Sequence, residues 1–381
     1  MIVGLFPELK AVGGIQCAGR HIAAVLADFA RRHGMKCRLF SLNDTHELHR
    51  MVLPSPISSG QAAAGHEFMF MGYERGKVRL GAAAMRAAWG GARVAVAAHP
   101  HLALVTQGMR AVRKGLRTIV WTHGIEVWEP LPLLRRRALG GADLVLAPSR
   151  DTAQHVAAMQ QVPCERIRVL PWALDPQFAA RTAAAAAKVG LPGTFPVGRV
   201  ILTVGRWSAG EEYKGVDHLI AALPRLLCDW PDVRVVAVGE GDGRAWLEHL
   251  AAEHGVQHSV HFLPQVSQAE LAACYAACEI FALPSRGEGF GFVYLEAMSH
   301  GKPVIAGAHA GAPEVVEDGV TGFLVPHGDV QQLTTALRTL LASPGRARDM
   351  GAKGRARVEK EFQFEKFAST LEQILREQCE F

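Results

Sequence analysis

The fold of this chain is constrained most by an alternation of short apolar runs with longer stretches of helical periodicity. Residues 15–33 illustrate the helical pattern, since Ile22, Val25, Leu26 and Phe29 recur at the spacing of one helix face. Strands that alternate with helices form a parallel sheet covered on both faces, with functional sites beyond the carboxyl ends of the strands. In the first half, the runs predicted as strands are 2–6, 37–42, 67–71, 94–98, 118–122 and 144–147.

The alternation is interrupted once and then begins again. A low-complexity alanine run at 179–188 precedes a Gly- and Pro-rich segment at 190–198, which is typical of a linker. We therefore predict two doubly wound α/β domains, 1–190 and 191–361, followed by an amphipathic helix within 362–381. In the second half, the predicted strands are 200–204, 233–238, 260–263, 280–283 and 304–306.

Length and composition exclude several classes of protein. A chain of 381 residues suits two domains, and it contains no apolar run of the roughly 18 residues that a membrane span needs. The apolar N-terminus lacks a basic flank and a cleavage site, which favours a first strand over a signal peptide. Seven cysteines without a CxxC pair argue against disulfides and a zinc site, so we expect a cytoplasmic protein.

Positive charge is concentrated in the first half of the chain. Residues 1–175 hold 22 Lys and Arg against 12 Asp and Glu, whereas the remainder holds 19 against 24. Arg110, Arg113, Lys114 and Arg117 have helical spacing, and residues 135–137 are all Arg. Two interpretations remain open: a solvated face, or a surface for anionic lipid on the inner face of a membrane or for a pyrophosphate-linked acceptor. Nothing indicates nucleic-acid binding, since aromatic residues are not interleaved with the basic ones.

The strongest candidate for a site is the segment 288–296. A Gly-containing loop leads into an apolar stretch, where a helix is predicted over 292–300. If this helix starts near Phe290, its first amides would suit a phosphate. Glu288 would lie in the loop, and Glu296 about two helical turns further on. This layout suits a ligand with a sugar, a diphosphate and a ribose in a row. The alternative is an ordinary Gly-rich turn with two incidental glutamates.

Two cations are suitably placed for a diphosphate. Arg206 follows a predicted strand and Gly205, and Lys214 precedes Gly215 and the next helix. An Arg offers a planar fork and a Lys a point charge, and both stabilise the negative charge of a departing diphosphate. No Asp-x-Asp motif is present, so we expect these cations to replace a metal ion.

Together with the Gly-rich turn at 239–243, the segment 311–314 and Thr321-Gly322, these motifs resemble the GT-B glycosyltransferases of family 4, which are retaining nucleotide-sugar enzymes. The resemblance implies two Rossmann-like domains facing a central cleft, an acceptor-binding first domain, a nucleotide-sugar-binding second domain and a C-terminal helix that packs back on the first. It assigns the donor diphosphate to Arg206 and Lys214, and the ribose to Glu296. It also assigns the donor sugar to Glu288, a base contact to Leu263, and phosphate or sugar contacts to backbone amides from Gly289, Phe290, Gly291 and Phe292.

In the first domain the resemblance points to a histidine and a glycine loop. His123 follows a predicted strand, and the family places a histidine near the reacting centre there, although a lone histidine is more often structural. Gly13 and Gly14 match the family's Gly-rich loop. The segment 171–175 resembles the family's Pro-Asn-Gly-Val-Asp turn, but carries Trp172 and Ala173 in place of Asn and Gly.

The sequence thus predicts a retaining glycosyltransferase with His123 and Glu288 as catalytic residues and no cofactor or metal ion. It would move a sugar from a nucleotide sugar to a glycan or lipid-linked acceptor. Three alternatives remain: a nucleotide-sugar epimerase, a glycan phosphorylase, or a catalytically silent partner subunit of the same fold.

Overall fold

The chain forms two compact units. The computed structural model describes residues 1–53, 66–176, 178, 190–193, 195–208, 210 and 212–379. The first unit comprises Met1–Gln177 together with Phe364–Phe381, and the second comprises Phe178–Gln363. This division falls earlier in the chain than the predicted boundary at 190/191, and the alanine run at 179–188 lies outside the described residues.

The first unit is built on one sheet with helices between most of its strands. Its strands are β1 (Ile2–Phe6), β2 (Cys37–Ser41), β3 (Leu48–Leu53), β4 (His66–Gly72), β5 (Val94–Ala97), β6 (Arg117–Trp121), β7 (Leu144–Ala147) and β8 (Ile167–Val169). They are ordered β3-β4-β2-β1-β5-β6-β7-β8. Its helices are α1 (Gly14–Arg32), α2 (Lys77–Trp89), α3 (Ala103–Val112), α4 (Leu133–Gly140) and α5 (Arg150–Gln160).

One edge of this sheet differs from the parallel arrangement that the sequence predicts. The strand β3 pairs antiparallel with β4, and neither β3 nor the short strand β8 was predicted. The sequence of β3 includes His49 and Arg50, and its residues alternate between exposed and buried positions over much of its length. Such an edge strand buries little apolar surface, so it lacks the continuous apolar run of a central parallel strand.

The second unit repeats the architecture with a smaller sheet, so the predicted fold of two Rossmann-like α/β domains is confirmed. Its strands are β9 (Arg199–Val204), β10 (Val233–Val238), β11 (Val260–Leu263), β12 (Ile280–Leu283), β13 (Val304–Gly307) and β14 (Gly322–Val325), all parallel in the order β11-β10-β9-β12-β13-β14. Its helices are α6 (Val216–Leu227), α7 (Arg244–Glu253), α8 (Gln268–Ala277), α9 (Phe292–Ser299), α10 (Ala312–Val315), α11 (Val330–Ala342) and α12 (Pro344–Glu361).

The last described helix, α13 (Phe364–Cys379), belongs to the first unit. Its buried Phe364 and Phe367 pack against the ring of His21 on α1, with ring centroids 5.3 and 5.8 Å away. Its polar face forms an ion pair between Glu372 and Arg32. The apolar face of α13 is therefore buried in the first unit, although the second unit precedes this helix in the chain. No described helix is both long enough and apolar enough to cross a membrane.

Candidate active site

In the second unit, backbone hydrogen bonds join the carboxyl ends of three neighbouring strands. The amide of Gly205, after β9, donates to the carbonyl of Val238 at 3.1 Å. The amide of Gly239, after β10, donates to the carbonyl of Leu263 on β11 at 3.0 Å. These bonds fix the segment that carries Arg206, whose side chain is exposed beyond the end of β9. Arg206 thus lies where the sequence predicts, at the carboxyl edge of the sheet.

The Gly-rich turn at 239–243 is shaped by this same segment. Gly239 has a φ of +140°, and a Cβ atom there would lie 1.8 Å from the carbonyl oxygen of Gly205. Only glycine permits such a close approach of two backbones. Gly239 therefore allows the backbone after β10 to pack closely against the backbone after β9.

Lys214 and Glu288, which come from two separate motifs, form an ion pair. Lys214 Nζ lies 3.5 Å from Glu288 Oε1, and the two side chains are only 15% and 19% exposed. The amide of Arg286 donates to the carbonyl of Tyr213 at 2.7 Å, which ties the turn carrying Lys214 to the loop after β12. The fold thus places one cation and one carboxylate side by side at the carboxyl edge of the sheet.

The helix predicted over 292–300 is present, and it starts two residues after Phe290. α9 begins at Phe292, because Gly291 at its N-cap adopts a left-handed conformation with φ +98°. Glu296 therefore lies one turn into the helix, not two. Phe290 is buried against Phe292 and Phe362, with ring centroids 6.0 and 5.8 Å away, so only its backbone is placed to meet a ligand.

Glu296 is held by a residue that the sequence analysis missed. The hydroxyl of Tyr275 on α8 donates to Glu296 Oε2 at 2.9 Å. Tyr275 is fully buried, and burial together with the Glu296 carboxylate raises its pKa well above its usual value, so the hydroxyl keeps its proton and remains a donor. This bond fixes one carboxylate oxygen of the half-buried Glu296. No local pattern links residues this far apart in the chain.

Leu263, the predicted base contact, is the last residue of β11 and lies on the wall of a cavity of about 280 Å³. The cavity runs between β11 and α7. Arg244 covers the ring of Phe262 there at 5.6 Å. The remaining lining residues are Glu248, Ala251, Gln257, Val260 and His261.

In the first unit, His123 lies just beyond the carboxyl end of β6, as predicted. Its Nε2 is 2.7 Å from the carbonyl oxygen of Ala98, which can only accept, so Nε2 carries the proton. Its backbone amide donates to the carboxylate of Glu126 at 2.6 Å. Because Nε2 carries the proton, Nδ1 of the neutral ring is a hydrogen-bond acceptor.

Two aromatic side chains stack against His123. Trp172 stacks on it at 5.6 Å with an interplanar angle of 16°, and His99 stacks at 5.5 Å and 26°. Trp121 in turn stacks on Trp172 at 4.9 Å. Burial is the main reason that the pKa of His99 falls to about 3, so this neighbour is neutral. Trp172, where the chain departs from the family's motif, thus orients His123.

Gly13 and Gly14 form the N-cap and the first residue of α1. The loop before them is held by Arg20, whose Nη1 donates to the carbonyls of Leu9 and Ala11 at 3.1 Å each. The carboxylate of Asp44 accepts from the amide of Leu9 at 2.8 Å. The glycine loop is therefore anchored from both sides.

Comparison with known proteins agrees with this architecture. Two family models match: Glycosyltransferase Family 4 over residues 18–178, and Glycosyl transferases group 1 over residues 195–357. The GDP-mannose-dependent alpha-(1-6)-phosphatidylinositol monomannoside mannosyltransferase of Mycolicibacterium smegmatis is 39% identical over 268 residues, which are 66% of this chain and 68% of that protein.

The chain belongs to glycosyltransferase family 4. It is therefore an enzyme that transfers a sugar from a nucleotide sugar to an acceptor. A D-inositol 3-phosphate glycosyltransferase of Segniliparus rotundus is 32% identical over 235 residues, which cover 60% of this chain and 51% of that protein.

Solved structures support the GT-B fold of this family 4 enzyme. Sucrose-phosphate synthase from Thermosynechococcus elongatus superposes with a TM-score of 0.75 at 22% identity, covering 99% of this chain and 98% of that one. Anabaena Alr3699/HepE in complex with UDP-glucose gives 0.73 at 21% identity, with 99% of each chain covered. At these identities the likeness concerns the fold alone.

The basic residues of this glycosyltransferase do not form the helical face that their spacing suggests. Arg110 lies in α3, but Arg113 ends that helix in an extended conformation and Arg117 begins β6. Both Arg110 and Arg117 approach Asp143, at 3.5 and 3.4 Å. The prediction of one helical face was wrong because α3 ends at Val112. Residues 135–137 do lie on one helix, α4.

Proposed function

We propose that this enzyme transfers a hexosyl group, with retention of configuration, from a nucleoside diphosphate to a hydroxyl of a lipid-linked glycan acceptor. GDP-mannose is the first candidate donor, because the Mycolicibacterium smegmatis relative is a GDP-mannose-dependent enzyme that acts on a phosphatidylinositol mannoside. The observation that carries the proposal is the half-buried pair of Lys214 and Glu288 at the loop before α9.

In this proposal the donor extends along the carboxyl edge of the second sheet. Arg206, Lys214 and the positive end of α9, with the backbone from Gly289 to Phe292, bind the diphosphate without a divalent cation. Glu296, oriented by Tyr275, accepts from the ribose hydroxyls. Lys214 also stabilises the charge that develops on the diphosphate as the glycosidic bond breaks.

Glu288 of the second unit and His123 of the first are the proposed catalytic residues. Glu288 accepts from hydroxyls of the transferred sugar, and Nδ1 of His123 can accept from a substrate hydroxyl because Nε2 is committed to Ala98. The acceptor hydroxyl attacks from the face that the diphosphate leaves, so no side chain of this enzyme is assigned as a nucleophile.

Thermal-shift measurements against a panel of nucleoside diphosphates and their sugars test the donor part. A ligand at 100 times its Kd stabilises the native state by about 2.7 kcal/mol, so the correct base is expected to raise the Tm measurably. GDP should stabilise the protein more than UDP or ADP. Equal shifts with all three, or none, would contradict the choice of donor.

The lipid part of the proposal rests on the start of α4. Leu133 and Leu134 are 52% and 68% exposed, and residues 135–137 are all Arg. Exposed apolar side chains beside cations favour an anionic lipid surface, where each basic residue contributes about 1 kcal/mol at low salt.

Cosedimentation with vesicles of phosphatidylglycerol tests this surface. The variant with Leu133→Ser, Leu134→Ser and Arg137→Gln should bind these vesicles at least severalfold more weakly than the wild type. Val197→Ser, which removes a 95% exposed apolar side chain from the second unit, is the matched control and should bind normally. Equal binding to neutral and anionic vesicles would overturn the membrane part and favour a soluble acceptor.

A further inference from the structure

Three potential metal ligands converge in the first unit, within the part of the chain that the structure describes. Cys17 and His21 are one turn apart on α1 and therefore face the same side, while Asp175 comes from the segment after β8. The thiol of Cys17 lies 3.7 Å from His21 Nε2 and 3.5 Å from Asp175 Oδ2. All three ligand atoms lie within 4.8 Å of one another.

The two separations from Cys17 Sγ match those of a tetrahedral zinc site. Zn²⁺ binds thiolate at about 2.3 Å, imidazole at about 2.0–2.1 Å and carboxylate at about 2.0–2.2 Å. Tetrahedral angles then place sulfur about 3.5–3.7 Å from the nitrogen or oxygen ligand. Both distances from Cys17 Sγ agree with this value, so Cys17 would require little movement to share an ion with either partner.

The surroundings also suit a zinc ion. Cys17 is 8% exposed and His21 is fully buried, and Phe364 and Phe367 cover the imidazole. Thiolate and imidazole favour zinc over magnesium or calcium, which prefer oxygen ligands.

Arg20 is a competing cation near these ligands. Its Nη2 lies 3.7 Å from Asp175 Oδ2. Its other terminal nitrogen is already bound to the carbonyls of Leu9 and Ala11, which holds the guanidinium in place. Arg20 and the Cys17 thiol approach the same carboxylate oxygen, Oδ2. Each carboxylate oxygen has two lone-pair sites, so Asp175 can serve both Arg20 and a metal ion.

We propose that Cys17, His21 and Asp175 bind one Zn²⁺ ion, with water as a fourth ligand. On binding, the Cys17 thiol releases its proton to solvent and a zinc–sulfur bond replaces the S–H bond. The ion joins the first turn of α1, next to the Gly13–Gly14 loop, to the segment that carries Trp172. The role is structural and belongs to the first unit, so it does not involve the diphosphate site in the second unit, which is proposed to bind its ligand without a metal ion.

The test uses full-length protein that has been stripped with a chelator and titrated with Co²⁺. One Co²⁺ per chain should bind and give the thiolate-to-cobalt charge-transfer band and the strong visible absorption of a tetrahedral site. Zn²⁺ should displace the bound Co²⁺, which removes the visible absorption, and Zn²⁺ should raise the Tm of the stripped protein. Failure of folded wild-type protein to develop the charge-transfer band would overturn the proposal.

Variants locate the ion. Cys17→Ser, which nearly keeps the volume of the side chain, should remove the charge-transfer band and weaken zinc binding by more than about tenfold. Cys164→Ser removes an exposed free thiol and is the matched control, which should keep the band. Asp175→Asn should also weaken zinc binding, but it disturbs the ion pair with Arg20. If the Asp175→Asn protein is unstable, the result for Cys17→Ser decides. A band that persists in folded Cys17→Ser protein would contradict the site.

Discussion

At the scale of single residues, Glu288 and Glu296 have different surroundings although they share one loop–helix segment. Glu288 is paired with Lys214, whereas Glu296 is bound by a buried tyrosine hydroxyl. The first arrangement places a carboxylate beside the cation proposed to stabilise the leaving group. The second fixes a carboxylate for a static contact with the ribose.

This difference predicts separate kinetic effects. Glu296→Ala should raise the donor KM by about 10–100-fold with little change in kcat, because it removes a hydrogen bond made equally in the ground and transition states. Glu288→Ala should lower kcat on the order of 100-fold. Steady-state kinetics at varied donor concentration measure both. Equal effects of the two variants on both parameters would contradict the division of roles.

The Tyr275 hydroxyl should act only through Glu296. Tyr275→Phe removes one hydrogen bond to a carboxylate, so the donor KM should rise by about tenfold while kcat stays near the wild-type value. In the Glu296→Ala background the same change should have almost no further effect, because its partner is gone. Additive losses in the double variant would show that Tyr275 has another role.

Lys214 should matter most to the chemical step. Lys214→Met retains much of the side-chain volume but removes the charge, and it should lower kcat/KM by about 100–1000-fold. Lys353→Met, on an exposed position of α12, is the control and should leave kinetics unchanged. A Lys214→Met enzyme with wild-type turnover would exclude this cation from leaving-group stabilisation.

The spacing of charged residues around glycine loops was enough to select Lys214, Glu288 and Glu296, because each lies within a local motif. The partners Tyr275 and Trp172 could not be assigned in this way. Their contacts with Glu296 and His123 join distant parts of the chain, and such pairings are decided by the packing of strands and helices.

At the scale of elements, the start of α9 depends on Gly291. A Cβ atom at this position would lie 2.3 Å from the ring of Tyr294, whose hydroxyl donates to the carbonyl of Leu283 at 2.9 Å. Tyr294 is buried and cannot move aside freely. The helix N-terminus is therefore set by a backbone conformation and a ring, and not by a side-chain cap.

Gly291→Ala should be compared with Gly319→Ala. Both glycines have positive φ, +98° and +71°, so both variants carry the backbone cost of about 1 kcal/mol. A Cβ at Gly319 meets nothing within 4 Å. Only Gly291→Ala should therefore lose a further free energy of unfolding of roughly 1–3 kcal/mol, because its Cβ clashes with the ring of Tyr294. Urea denaturation measures both free energies of unfolding. Equal losses would show that the ring does not determine the loop.

Central strands could be predicted from their apolar runs, but edge elements could not. The strands β3, β8 and β14 were missed, since β3 and β14 are half-exposed and β8 has three residues. The basic residues from Arg110 to Arg117 were wrongly placed on one helix, because charge spacing does not reveal that α3 ends at Val112.

At the scale of the whole molecule, the first unit is completed by the last segment of the chain. Phe367 on α13 is buried against Trp121 and Trp172, with ring centroids 5.8 and 5.7 Å away. These tryptophans belong to the stack that covers His123. The C-terminal helix therefore supports the ring stack of the first unit.

Phe367→Ala should destabilise the first unit by about 3–5 kcal/mol, because it leaves a cavity beneath the tryptophans. The neighbouring exposed Lys366→Ala should change the free energy of unfolding by less than about 0.5 kcal/mol. Chemical denaturation followed by tryptophan fluorescence distinguishes the two. A Phe367→Ala protein as stable as the wild type would show that α13 contributes little to this core.

The central claim is that the enzyme transfers a sugar from a nucleotide sugar to an acceptor hydroxyl. The most direct measurement incubates the protein with GDP-sugars and UDP-sugars labelled in the sugar, together with a bacterial membrane lipid fraction. Label should enter the organic-extractable lipid in an amount equal to the nucleoside diphosphate released, with Lys214→Met near background. Recovery of the label as an epimerised nucleotide sugar, as a sugar 1-phosphate formed only with inorganic phosphate, or as unreacted donor throughout would contradict the account.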